Sequence, residues 1–356
     1  MNQNPFKFLD AFDKNDGDRF FGRDREIAQL YNAVHASNLV LIYGRSGTGK
    51  TSIVQCGLAN KFDDTDWLPV TVRWRDGFER SLRSELLKQL KRAPDASADT
   101  SVASLVREVF VDHYKPVYLI FDQFEELYTI GDERERDAAY HAVKSLLVAG
   151  LPCKVLIVIR EEYVAELSAL EEIVPQLFDN RIRIETMNNR NLARVIIGTT
   201  RYGGITIQEP EVTVPGIIEN VKDSRQGVSL PNLQIYLDRL FQKATPKTGG
   251  GRDSVRFDPA LVKDTGRFEQ VFSDFVLEQL SSLEGRLAER KVAQPKGLPL
   301  EVLFTMVTGD GTKRALDVQE IQEKLPPNRR RVAAADLSYC LEEFVRLRLL
   351  RPVSAD

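Results

Sequence analysis

The first half of the chain alternates short apolar runs with stretches whose apolar residues recur every three or four positions. The runs fall at residues 39–43 (Leu-Val-Leu-Ile-Tyr), 67–74, 116–122, 154–159 and 181–185. Residues 154–159 show no polar alternation, as expected of a parallel strand covered on both faces. Between the runs, helical spacing predicts helices over 23–36 (Ile27, Leu30, Tyr31, Val34), 51–60, 78–90, 102–113 and 133–148. Residues 91–101, rich in Ala, Pro, Asp and Ser, read as a surface loop. Strand and helix in alternation predict an α/β unit, with residues 5–19 as an arm against it.

From residue 188 the texture changes. The pattern is helical to about residue 244, broken near 227–232, with a stripe at Leu233, Tyr236, Leu237, Leu240 and Phe241. Residues 245–254 carry three consecutive glycines and read as a loop. A long helix over 266–287, shorter ones over 298–307, 316–325 and 333–346, and a wing strand over 348–353 predict a small winged-helix domain. Three domains are expected: 1–187 α/β with its arm, 188–265 helical, 266–356 winged-helix.

Chemistry enters directly after the first run. Gly44-Arg-Ser46-Gly47-Thr48-Gly49-Lys50-Thr51-Ser52 contains G-x-x-x-x-G-K-T between a strand and a helix, the context a phosphate-binding loop requires. Its glycines let backbone N–H groups and the helix N-terminus point at an anion. Lys50 is placed for the β- and γ-phosphates and Thr51 for Mg²⁺. The run at 116–122 ends in Asp122, a second Mg²⁺ ligand candidate, 72 residues after Lys50. That interval suits P-loop folds in which a later strand inserts between these two, giving the order 5-1-4-3-2. The inserted strand, 154–159, delivers Arg160 to the carboxyl edge where ligands bind, placed to sense a γ-phosphate.

Composition narrows the partners. With 49 basic and 52 acidic residues the net charge is −3, so no global pull toward nucleic acid or membrane is expected. No apolar run approaches the ~20 residues of a membrane span, and the N-terminus lacks a signal-peptide pattern. Three widely spaced cysteines suit a reducing compartment, so a cytoplasmic location is expected. The three histidines are scattered and receive no role.

Together, residues 4–9 (Asn-Pro-Phe-Lys-Phe-Leu), 20–27 (Phe-Phe-Gly-Arg-Asp-Arg-Glu-Ile), the loop at 44–52, 120–128 (Ile-Phe-Asp-Gln-Phe-Glu-Glu-Leu-Tyr) and 158–163 (Val-Ile-Arg-Glu-Glu-Tyr) resemble bacterial STAND-class signalling ATPases, which are AAA+-like. The resemblance implies a switch that is ADP-bound and closed at rest, then ATP-bound, open and assembled as a nucleotide-dependent homo-oligomer, in signalling or antiviral defence. It implies that Phe21, Gly22 and Arg23 close over the adenine and that Pro231 brings helical-domain backbone to the nucleotide. Many hydrolysing relatives place an acid directly after the metal-binding Asp. Here Gln123 stands there, so Glu125 or Glu126 must activate water, and slow hydrolysis is expected. Sensor and effector regions of such proteins are expected outside this chain. The alternative is a DNA-binding AAA+ ATPase of the origin-recognition kind, using a winged helix and the Arg329-Arg330-Arg331 and Arg346/Arg348 cluster. A metabolic kinase is disfavoured, because no acceptor-binding domain is apparent.

Overall fold

The computed structural model describes residues 4–8, 10–74, 77–91, 101–223, 227–245, 255–292, 295–307, 314, 316–346 and 349–350. The chain divides into two compact units, Met1–Gly266 and Arg267–Ala355.

Unit 1 is built on a five-stranded sheet in the order β2-β3-β4-β1-β5, the order expected. The strands are β1 (Leu39–Gly44), β2 (Leu68–Val72), β3 (Val117–Asp122), β4 (Cys153–Arg160) and β5 (Arg181–Arg183), and all pair in parallel. Every residue of β3 is buried, because both sheet faces are covered and period-two alternation has no solvent side to record. Leu41, Leu119, Phe121, Val155 and Ile157 face one core. There they meet helices α3 (Phe78–Leu87), α4 (Val102–His113), α6 (Glu133–Val148) and α7 (Ser168–Ile173). Val40, Ile42, Ile120, Leu156 and Val158 face the other, against α1 (Asp24–Ala36) and the helix after the P-loop. That helix starts as α2 (Lys50–Ser52), widens into a π turn over Ile53–Leu58 and tightens into a 3₁₀ turn over Ala59–Lys61. Within it Gly57 lies against α1, where a Cβ would come 2.6 Å from Ile27 Cγ1. The short α5 (Glu126–Thr129) follows β3.

Residues after 188 pack within this same unit, as α8 (Asn189–Tyr202), α9 (Pro210–Val221), α10 (Leu230–Ala244) and α11 (Pro259–Thr265). The expectation of helix alone to residue 244 needs correction. A break after Tyr202 admits β6 (Thr206–Ile207), which pairs in parallel with β7 (Arg256–Phe257). Two-residue strands carry too little pattern to announce themselves. The N-terminal arm straps the unit together. Phe6 packs on Phe241 of α10 and Phe257 of β7, Asn4 bonds Asp238, and Lys7 N–H donates to Gln234 at 3.3 Å. Further along, Phe12 N–H donates to Ser52 Oγ at 3.1 Å. Buried Asp16 holds Lys7 and Arg19.

Unit 2 contains α12 (Phe268–Glu289), α13 (Leu298–Thr305), α14 (Val318–Lys324) and α15 (Ala334–Arg346). Leu283, Leu298, Val302, Ile321, Leu337 and Phe344 form its core. The predicted loop residues 92–100 and 246–254, and residues 348 and 351–353 of the predicted wing, lie outside the described residues.

Candidate nucleotide site

Parallel pairing brings the chemistry-bearing residues to one edge. Gly44 of β1 is level with Arg160 of β4, and Asp122 of β3 is level with Val158, two residues short of Arg160. Crossing from β1 into α2, Gly47 and Gly49 take φ of +75° and +87°, a left-handed backbone that favours glycine. Lys50 Nζ donates to the carbonyls of Gly44 (2.8 Å) and Arg45 (2.9 Å), closing the loop on itself. Burial pushes the Lys50 ammonium below its ordinary value; Glu125 pulls it back up, while Arg160 pushes it further down. A polyanion in the loop would relieve that penalty.

Thr51 Oγ1 donates to Asp122 Oδ1 at 2.9 Å. The two residues expected to face Mg²⁺ are thus neighbours, and Asp122 is almost wholly buried. No cluster of three His, Cys, Asp or Glu able to hold a metal exists among the described residues. A hydroxyl and one carboxylate suit Mg²⁺, which usually keeps several waters and takes the rest of its shell from phosphates. The residues therefore fit Mg²⁺ together with a nucleotide. A second acidic group lies beside them. Glu125, also buried, pairs through Oε1 with Arg160 Nε at 2.9 Å and through Oε2 accepts from the Arg160 N–H at 3.2 Å. Glu126, half-buried, opens α5 instead. Between Asp122 and Glu125, Gln123 adopts φ +62°, and this turn aims Glu125 back at β4.

The remaining predicted residues divide. Arg23 is buried and clamps the loop from behind, its Nη2 donating to the carbonyls of Thr48 (2.8 Å) and Glu185 (2.9 Å) while Nη1 bonds Glu26. Its Nε is buried with no hydrogen-bond partner among the described residues. Gly22, φ +82°, lies against α8, where a Cβ would approach the Asn191 carbonyl to 3.0 Å. Phe21 packs over Gly198 of α8. Thr48 Oγ1 bonds the Arg45 carbonyl at 2.9 Å and Ser46 is exposed. Ser52 holds the arm. Pro231 lies beside the loop: a Cβ on Gly47 would be 2.6 Å from Ser229 Oγ and 3.7 Å from Pro231 Cδ. Leu230 N–H donates to the Gly47 carbonyl at 3.0 Å.

One residue was missed. Arg73, just past β2, puts Nε (3.1 Å) and Nη2 (2.7 Å) on Asp122 Oδ2. The signal existed: β2 neighbours β3 in the expected order, and Val72 is level with Phe121, which sets Arg73 level with Asp122.

A family model, novel STAND NTPase 1, matches residues 5–353. The chain belongs to this STAND NTPase family. Among curated proteins none matches. This STAND NTPase has the fold of two solved proteins. The ORC2 protein of Aeropyrum pernix, solved as ADPNP-ADP complexes, is 16% identical with a TM-score of 0.54, covering 97% of this chain and 99% of that one. The ORC1 protein of the same organism, solved in complex with DNA, is 15% identical with a TM-score of 0.51, covering 93% and 85%. At such identities the likeness concerns fold alone. Family membership itself implies nucleotide binding. No helix among the described residues is long and apolar enough to cross a membrane.

Proposed function

We propose that this STAND NTPase is an ATP/ADP-dependent conformational switch that binds Mg-ATP, hydrolyses it slowly and thereby controls its own assembly. The observation that carries the proposal is the bond from Leu230 N–H to the Gly47 carbonyl. It fastens the head of α10 to the loop that would hold the phosphates. Filling or emptying that loop therefore changes the footing of the helical layer. Moving such an equilibrium from 1:99 to 99:1 takes about 5.5 kcal/mol of preference. Two or three charge-assisted contacts of about 1.5–3 kcal/mol each, from Lys50 and Arg160, reach that size.

Bound Mg-ATP supplies the phosphoryl group to be transferred. Arg160 is shared: while it holds Glu125 the carboxylate is tied down, and once it turns toward a γ-phosphate Glu125 is freed to polarise water. Residues 1–187, 188–265 and 266–356 serve in this reading as nucleotide, helical and winged-helix domains, with sensor and effector functions on other segments or chains in bacterial signalling or defence. The origin-recognition alternative has less support. In unit 2, Arg329 is buried and pairs with Glu301, Arg330 Nε bonds the Leu325 carbonyl, and Arg346 forks onto Glu343. These arginines brace helices.

Hydrogen exchange tests the switch. With Mg²⁺, ADP and a non-hydrolysable ATP analogue should give different protection over residues 229–244, and Lys50→Ala should abolish the difference. Tight binding of both nucleotides with identical exchange would sink the idea.

A further inference from the structure

Asp122 has 1% of its side chain exposed, and a carboxylate that deep requires a countercharge. In a P-loop site read as above, Mg²⁺ with its nucleotide supplies one. Here Arg73 supplies it. Both guanidinium bonds converge on Oδ2, the oxygen left over after Thr51 has taken Oδ1. Arg73 is anchored from behind, since the next residue, Trp74, donates Nε1–H to Glu135 of α6 at 3.2 Å. Yet its own side chain is 36% exposed, so it has room to swing outward.

We propose that Arg73 is a positioning residue that stands in for the metal on Asp122, so that guanidinium and Mg²⁺ compete for one carboxylate and the ion pair sets the magnesium requirement of nucleotide binding. The inference rests on the nucleotide-site reading and deepens it. Without metal, the guanidinium cancels a negative charge that would face the phosphates, so metal-free nucleotide is tolerated. With metal, Asp122 is available only after Arg73 lets go. Arg73 therefore has opposite effects on the two conditions, which a purely structural arginine would not have.

The test is titration of a fluorescent ADP into the full chain, in EDTA and across a Mg²⁺ series, for the wild type, R73Q, R73K, D122N and R73Q/D122N. Losing one charge-assisted bond corresponds to about tenfold in an equilibrium constant. R73Q should weaken binding in EDTA about tenfold and lower the half-saturating Mg²⁺ concentration by a similar factor; R73K should lie between. In the D122N background, R73Q should add nothing. Mg²⁺ alone, followed by thermal unfolding, should stabilise R73Q more than the wild type. Equal factors in EDTA and Mg²⁺, or an undiminished R73Q effect in D122N, would overturn the proposal while leaving the nucleotide site standing. Wild type that binds no nucleotide, or K50A that binds as well as wild type, would overturn both.

Discussion

Gly47→Ala tests the contact between loop and helical layer in the absence of any ligand. Two terms add. Gly47 has φ +75°, and a Cβ in the left-handed region costs about 1–2 kcal/mol. The new methyl would also lie 2.6 Å from Ser229 Oγ, closer than atoms tolerate. Either Ser229 rotates or the head of α10 retreats, and retreat forfeits the 3.0 Å bond from Leu230, about 1 kcal/mol. The sum, about 2–3 kcal/mol, corresponds to a fall in melting temperature of about 4–5 °C for a unit the size of Met1–Gly266. Ser229→Gly separates the terms. Ser229 is the N-cap of α10 but its side chain makes no capping bond, so its removal alone costs only a few tenths of a kcal/mol, roughly the serine-to-glycine cap difference. In the double variant the collision disappears and the backbone term remains. Calorimetry on nucleotide-free protein should show a favourable coupling of about 1 kcal/mol between the two sites. Strict additivity would mean that α10 does not press on the loop.

Two further outcomes follow from the same geometry. Glu125→Gln should leave nucleotide binding intact while cutting hydrolysis by about 10²–10⁴, the range of a lost general base, measured by phosphate release; unchanged turnover would move the role to Glu126. In the arm, burial alone would raise the Asp16 pKa, but bonds from Lys7, the Asp13 backbone and Arg19 outweigh it and hold the carboxyl below its ordinary 3.8. Its stabilisation is then fully present above pH 3.8 and lost as pH falls through the lowered value. Asp16→Ala should cost about 1.5–3 kcal/mol at pH 7, in the range of charge-assisted bonds, with the gap to wild type closing in urea melts as pH falls through the lowered Asp16 value.

Much of the site is legible in the sequence because its signals are local. The loop from Gly44 to Thr51 carries its flanks with it, and Asp122 and Arg160 each end an unbroken apolar run. Strand order follows from the length between Lys50 and Asp122. What stays hidden depends on pairing. Arg73 is an ordinary arginine at a strand end until β2 is set beside β3. The bond between Leu230 and Gly47 joins residues far apart in the chain with no side chain of Leu230 involved, so only the resemblance carried by Pro231 hints at it and its partner on the loop stays hidden. The π turn over Ile53–Leu58 has no compositional mark either.

The arm fastened at Lys7 and again at Phe12 has a consequence for distance. Five residues of fully extended chain reach about 17 Å. As long as Gln234 keeps the first attachment and Ser52 the second, α10 cannot travel farther than that leash from the helix behind the loop. The arm thus caps how far α10 can move from that helix. A larger excursion requires Phe6 to leave its seat between Phe241 and Phe257, and so carries the cost of exposing an aromatic ring to water.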